Sequence, residues 1–167
     1  MKTLKDYILS GSFNQGQLNM IKRGLDRNLD VSVYAKPEFS LSQMTYIYEG
    51  LMKDLDVSAY TKSTFSDNQL KQLRIGLEQG LDVSIYAKPE FSYKQMEQIR
   101  LGLKKKLDVS LYTNPKFHTL QMQQIRIGLE QGIDVSSYAD PEISHRVMSN
   151  MRISLVQDKN KADKEEK

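Results

Sequence analysis

The sequence predicts an all-α protein, an α-solenoid of five 26-residue units plus a half unit, on two observations. Asp-Val-Ser recurs at Asp30, Asp56, Asp82, Asp108 and Asp134, a spacing of 26 residues four times running. Within each unit, a helix-capping signal precedes apolar residues that return at helical spacing. A single globular core does not repeat in this way, whereas a period in the range of about 20 to 50 residues is what stacked supersecondary units produce. Each unit is expected to hold one long helix and one short one, with no sheet.

The elements follow in chain order. Residues 1–12 precede the repeat and carry Leu4, Tyr7, Ile8 and Leu9, a degraded short helix expected to cover the first unit. Units then open at Phe13, Phe39, Phe65, Phe91, Phe117 and Ile143, so residues 13–157 form the repeat region. In the third unit Ser66 and Gln69 make a capping box, the hydroxyl accepting from the third helical N–H while the glutamine reaches back to the cap. The pair recurs as Asn14 with Gln17, Ser40 with Gln43, and Ser92 with Gln95. Leu70, Leu73 and Leu77 then fall on one face of the long helix, and Gly80 ends it in the left-handed conformation. Asp82 caps the second segment, an α-helix or a 3₁₀ turn, and Pro89 closes it because the residue before a proline avoids the helical region. Residues 158–167 carry four positive and four negative side chains and read as a charged, disordered tail.

Glycine inside the long helix is the oddity of the pattern. Gly24, Gly50, Gly76, Gly102 and Gly128 each cost about 1 kcal/mol relative to alanine, so something must offset them. The expectation is that the long helices of neighbouring units approach closely there. The half unit has Ser154 at this position.

The consensus QM-xx-IR-x-GL-xx-GLDVS-x-YA-x-P-x-F is carried by Gln95, Met96, Ile99, Arg100, Gly102 and Leu103, and by Gly80 to Pro89. It resembles tandem 26-residue helical repeats of accessory proteins on mobile elements of Gram-positive gut bacteria. The resemblance implies a helical-repeat fold and a mobile-element setting, and through that setting the inhibition of a host defence nuclease. It transfers no catalytic residue.

Composition narrows the function. With 39% hydrophobic and 27% charged residues the chain is of globular type, and no apolar run approaches the roughly 18 to 20 residues of a membrane helix. The absence of cysteine excludes disulfides and thiolate metal sites, and a cytoplasmic location follows as the expectation. His118 and His145 fall at or beside helix caps one repeat apart, and the serines and aspartates recur at identical positions. Groups repeated five times are caps rather than nucleophiles. Neither an enzyme, a metal, a cofactor nor a small-molecule substrate is expected.

Two interaction surfaces remain. Lys22, Arg74, Arg100, Arg126 and Arg152 occupy one position of every unit except the second, a ladder that either ties units together or tracks a phosphate backbone. The fourth unit adds Lys104, Lys105 and Lys106 to it, but the fifth is net negative, so no uniform positive face exists. Tyrosine recurs at Tyr34, Tyr60, Tyr86, Tyr112 and Tyr138 and reads as core. The other surface comes from the second unit, which departs most from the pattern. It places Leu41, Tyr46, Tyr48 and Met52 where other units are mainly polar, and Tyr48 replaces the ladder arginine. These residues, with Tyr93, either form an aromatic docking patch for a protein partner or record drift in one repeat. The expected function is a non-enzymatic protein-binding module, with nucleic-acid binding by the ladder as the alternative; the oligomeric state is left open.

Overall fold

The computed structural model describes residues 2–61 and 64–165. Every element among them is helical. Seven α-helices, α1 (Leu4–Leu9), α2 (Gln15–Leu25), α3 (Leu41–Leu51), α4 (Asp67–Glu78), α5 (Tyr93–Lys104), α6 (Thr119–Glu130) and α7 (His145–Glu165), are joined through four 3₁₀ helices. The latter are η1 (Val31–Val33), η2 (Val57–Tyr60), η3 (Val83–Ile85) and η4 (Val109–Leu111). The chain divides into two compact bodies, Met1–Pro89 and Glu90–Lys167. In the first, α1, α2, α3 and α4 pack in consecutive pairs; in the second, α5 packs on α6 and α6 on α7.

Each long helix starts where its capping box begins. Asn14, Ser40, Ser66 and Ser92 accept from the third N–H, and Gln17, Gln43, Gln69 and Gln95 return a bond to the cap. His118 caps α6 through Nδ1, which accepts from Leu120 N at 3.3 Å. Helices α4 and α6 are followed by a left-handed glycine, Gly80 (φ +67°) and Gly132 (φ +66°). At the equivalent turns Asn28, Asp54 and Lys106 adopt the same conformation with a side chain attached.

The short segment is a 3₁₀ helix in the first four units and a turn in the fifth. Asp30, Asp56, Asp82, Asp108 and Asp134 accept from the N–H two residues on, at 2.9 to 3.1 Å, and the valine between them is buried. The core therefore receives the same set from the second to the fifth repeat: the tyrosine, the valine, the opening phenylalanine, and an apolar pair such as Met96 and Ile99; in the first, Phe13 and Leu18 are half-buried. Fully burying one such side chain contributes about 1.5 to 3 kcal/mol.

The helical glycines have a different cause from close approach between long helices. A Cβ on Gly24 would overlap the hydroxyl of Tyr34, ten residues on in the same repeat, and lie 2.7 Å from Val31 Cγ1. Tyr60, Tyr86, Tyr112 and Tyr138 stand in the same way over Gly50, Gly76, Gly102 and Gly128. Glycine thus makes room for the short helix to seat its tyrosine on the long helix before it. Four of the five hydroxyls donate to the carbonyl four residues before the glycine, as Tyr34 does to Met20 O at 3.2 Å and Tyr112 to Gln98 O at 3.3 Å. Ser154 stands where no Asp-Val-Ser-x-Tyr segment follows, so nothing requires glycine there.

The ends differ from the sequence expectation in detail. Of the N-terminal apolar residues, Tyr7 is buried edge-on to Phe13, whereas Ile8 and Leu9 are exposed. Helix α7 runs to Glu165, past the Gln157 at which the repeat ends, so residues 158–165 are helical rather than a frayed tail. Lys159 fastens that extension by donating to the carbonyls of Gln131 and Gly132 at 3.1 and 3.0 Å, where α6 leaves acceptors unsatisfied. Glu166 and Lys167 lie outside the described residues.

Candidate binding surface

The arginine ladder is largely consumed by internal bonds. Arg126 Nε donates to Gln98 Oε1 at 2.9 Å, on the preceding long helix, and its Nη1 pairs with Glu130. Arg152 repeats the bond one unit later, to Gln124 Oε1 at 3.0 Å, and adds Gln131 Oε1 at 2.8 Å. Arg100 is itself buried. Arg74 sits between Glu49 and Glu78 and stacks over the Tyr46 ring, 5.8 Å from its centroid. Lys22 is exposed and forms an i,i+4 pair with Asp26 at 2.7 Å. Fixed in this way, the guanidinium groups of Arg74, Arg126 and Arg152 tie consecutive helices to one another. Of the fourth-unit lysines, Lys105 pairs with Glu130 at 2.8 Å, while Lys104 and Lys106 are exposed and make no ion pair among the described residues.

The second-unit patch is not the surface that the sequence suggested. Tyr48 is only 6% exposed: its ring meets Tyr34 edge-on, at 6.4 Å between centroids, with the Arg23 guanidinium 5.4 Å above it. It is a packing residue and presents no free face. Tyr46 is half-buried under Arg74. Leu41 and Met52 are each 45% exposed, at opposite ends of α3. Eleven residues of helix bring them back to nearly the same side, roughly 16 Å apart, with Thr45 and Glu49 between. Tyr93, 38% exposed, holds in α5 the first helical position that Leu41 holds in α3, with Lys94 Nζ 5.9 Å from its ring.

Two features lie beyond what the sequence pattern predicts. Each box glutamine is nearly buried and makes a second set of bonds. Gln17 Nε2 donates to Phe39 O at 2.8 Å, Gln95 Nε2 to Pro115 O and Phe117 O at 3.0 and 2.8 Å, and Gln121 Nε2 to Pro141 O and Ile143 O at 2.8 and 2.7 Å. The side chain that starts one helix therefore clasps the entry to the next. The signal was present in the sequence, since glutamate closes a capping box equally well but cannot donate, and every full unit has glutamine. The second feature is an open groove between η1 and η2, floored by Val33, Leu51, Leu55 and Val57 and edged by Lys36 and Asp56.

The electrostatics of the repeat are those of structure. Burial pushes the Tyr138 hydroxyl up to about 12, and raises Tyr34, Tyr60 and Tyr112 as well, so these four hydroxyls stay protonated. Hydrogen bonding from Lys53, helped by the charge of Arg74 and opposed by burial, holds the Glu78 carboxyl below its usual range. Among the described residues no three His, Cys, Asp or Glu side chains are grouped to hold a metal ion, and no helix is long and apolar enough to cross a membrane. No protein-family model, curated protein or solved structure matches the chain.

Proposed function

We propose that the chain is a non-enzymatic α-solenoid that binds another protein in the cytoplasm. The observation that carries this reading is the division of labour among its polar groups. Those that repeat are engaged within the fold: the box glutamines, four of the five tyrosine hydroxyls and most ladder arginines. What is left for a partner lies at positions that vary between units, and there the exposed apolar side chains Leu41 and Met52 on α3, and Tyr93 on α5, are each suited to anchor one. Tyr46 contributes its free edge, and Tyr48 supports the α3 surface from below. The sharper version, in which the partner is a host defence nuclease, rests on the resemblance of the repeat to mobile-element proteins.

A second reading is favoured by the exposed, unpaired Lys104 and Lys106, which with Lys105 give α5 a basic C-terminal end. Nucleic-acid binding by that end would fall steeply with salt. The test is capture from a cell lysate, with and without nuclease, by the wild-type chain and by the Leu41→Asp/Met52→Asp double variant. A protein retained after nuclease by the wild type and lost by the double variant, at unchanged melting temperature, is the expected result. Capture that vanishes with the nucleic acid, or is untouched by the double variant, overturns the assignment.

A further inference from the structure

The repeats supply their own controls, and one joint between them is built differently. Where α6 follows α5 and α7 follows α6, the incoming arginine places Nε on a neutral glutamine Oε1, Arg126 on Gln98 and Arg152 on Gln124. The carbonyl of that same glutamine accepts the tyrosine hydroxyl, from Tyr112 and Tyr138 respectively. Gln98 and Gln124 each therefore gather two donors. The residue in this position of α3 is Tyr46, which has no carbonyl acceptor on its side chain for Arg74 Nε.

At this joint neither donor is satisfied. Arg74 Nε and the Tyr60 hydroxyl are buried without a hydrogen-bond partner, and no other described side-chain nitrogen or oxygen shares that condition. Nη1 of Arg74 pairs with Glu78, which Lys53 also reaches at 2.9 Å, just as Arg126 and Lys105 meet Glu130; what sets this joint apart is Arg74 Nε, which in place of a glutamine oxygen has only the Glu49 carboxylate, 3.4 Å away and outside hydrogen-bond geometry. The local backbone differs too. Helix η2 is four residues long and includes Tyr60, whereas η1, η3 and η4 have three and leave the tyrosine as the cap.

We infer that the α3–α4 joint is a built-in hinge, the place where the Met1–Pro89 body opens first, and that salt loosens it. Two buried donors left unpaired are a desolvation cost that the α5–α6 and α6–α7 joints do not carry among their described residues. What stands in for the glutamine bond is a contact between charges, and Glu49 is 43% exposed, so ions in solution screen it. A bond between Arg126 and an uncharged glutamine loses less to screening. The inference is independent of what partner the protein binds.

The test is amide hydrogen exchange on the full-length chain, comparing equivalent segments. The amides of η2 and the first turn of α4 should exchange at least about fivefold faster than those of η1 and the first turn of α3, the ratio that one ordinary hydrogen bond sets. The ratio should widen in ~1 M sodium chloride, where the screening length falls to about 3 Å. Tyr46→Gln, which supplies the acceptor that Arg74 Nε lacks, should narrow the difference and remove its salt dependence. Gln98→Tyr should transfer the fast exchange to η4 and the first turn of α6, without its salt dependence, since Leu101 stands where Glu49 does in α3. Equal rates in the two wild-type segments, or a difference that neither salt nor Tyr46→Gln alters, would overturn the inference.

Discussion

Replacing a glycine by alanine in the middle of a helix ordinarily stabilises it by about 1 kcal/mol. At Gly102 the structure reverses the sign, because the new methyl would overlap the Tyr112 hydroxyl and come within 2.8 Å of Val109 Cγ1. Gly102→Ala should therefore lower stability by roughly 1 to 3 kcal/mol, the usual cost of overpacking. Adding Tyr112→Phe should recover part of that loss; calorimetric melting of the single and double variants checks both. The lock was half legible in the sequence. Each glycine is followed ten residues later by a tyrosine, and the half unit lacks both, a pairing that points to contact within a repeat. What the pattern could not reveal was which neighbour filled the space. A second residue acts in the opposite direction: Lys106 holds φ +58° where Gly80 and Gly132 stand in other repeats. Lys106→Gly relieves a left-handed strain of about 1 to 2 kcal/mol, less the greater freedom glycine has when unfolded, so a gain of up to about 1 kcal/mol in denaturant unfolding is expected.

At the scale of elements, a helix boundary and a helix–helix joint are set by the same side chain. Gln95 closes the box of α5 by accepting from Ser92 N at 2.8 Å, and holds the chain entering α6 through two donated bonds. Gln95→Ala leaves several buried backbone groups unpaired and should cost about 2 to 3 kcal/mol. Gln95→Glu, which preserves the box but turns the clasp from donor to acceptor, should cost nearly as much. A glutamate variant as stable as wild type would show that the clasp adds nothing. Sequence periodicity captured the long helices and their caps because both depend on local spacing, and it left the short segment open between two helix types. It misjudged Tyr48 for a reason rooted in packing. The position Tyr48 takes from the ladder is already sheltered, since Arg100 is buried and the Arg126 side chain is only 11% exposed, so an aromatic ring placed there turns inward. Departure from a consensus marks a changed residue, whereas exposure is decided by the neighbouring helices.

Along the whole chain, charge is patterned by repeat. The fourth unit sets Lys94, Arg100, Lys104, Lys105, Lys106 and Lys116 against Glu97 and Asp108, and the fifth sets Arg126 against Glu130, Asp134, Asp140 and Glu142. Because each unit brings its own caps, tyrosine lock and glutamine clasp, and because every clasp reaches only the next segment, the units should be interchangeable in number. That is the central claim, and one measurement tests it most directly. Removing residues 91–116, a single period, joins Glu90 to Phe117 and keeps every clasp in register. Circular dichroism through a thermal melt should then show wild-type helix content per residue and a cooperative, somewhat lower transition. Removal of residues 91–113, three short of the period, should abolish that transition. If the in-register deletion melts without cooperativity, as the out-of-register one is expected to, the fold is not a series of equivalent units and the account fails.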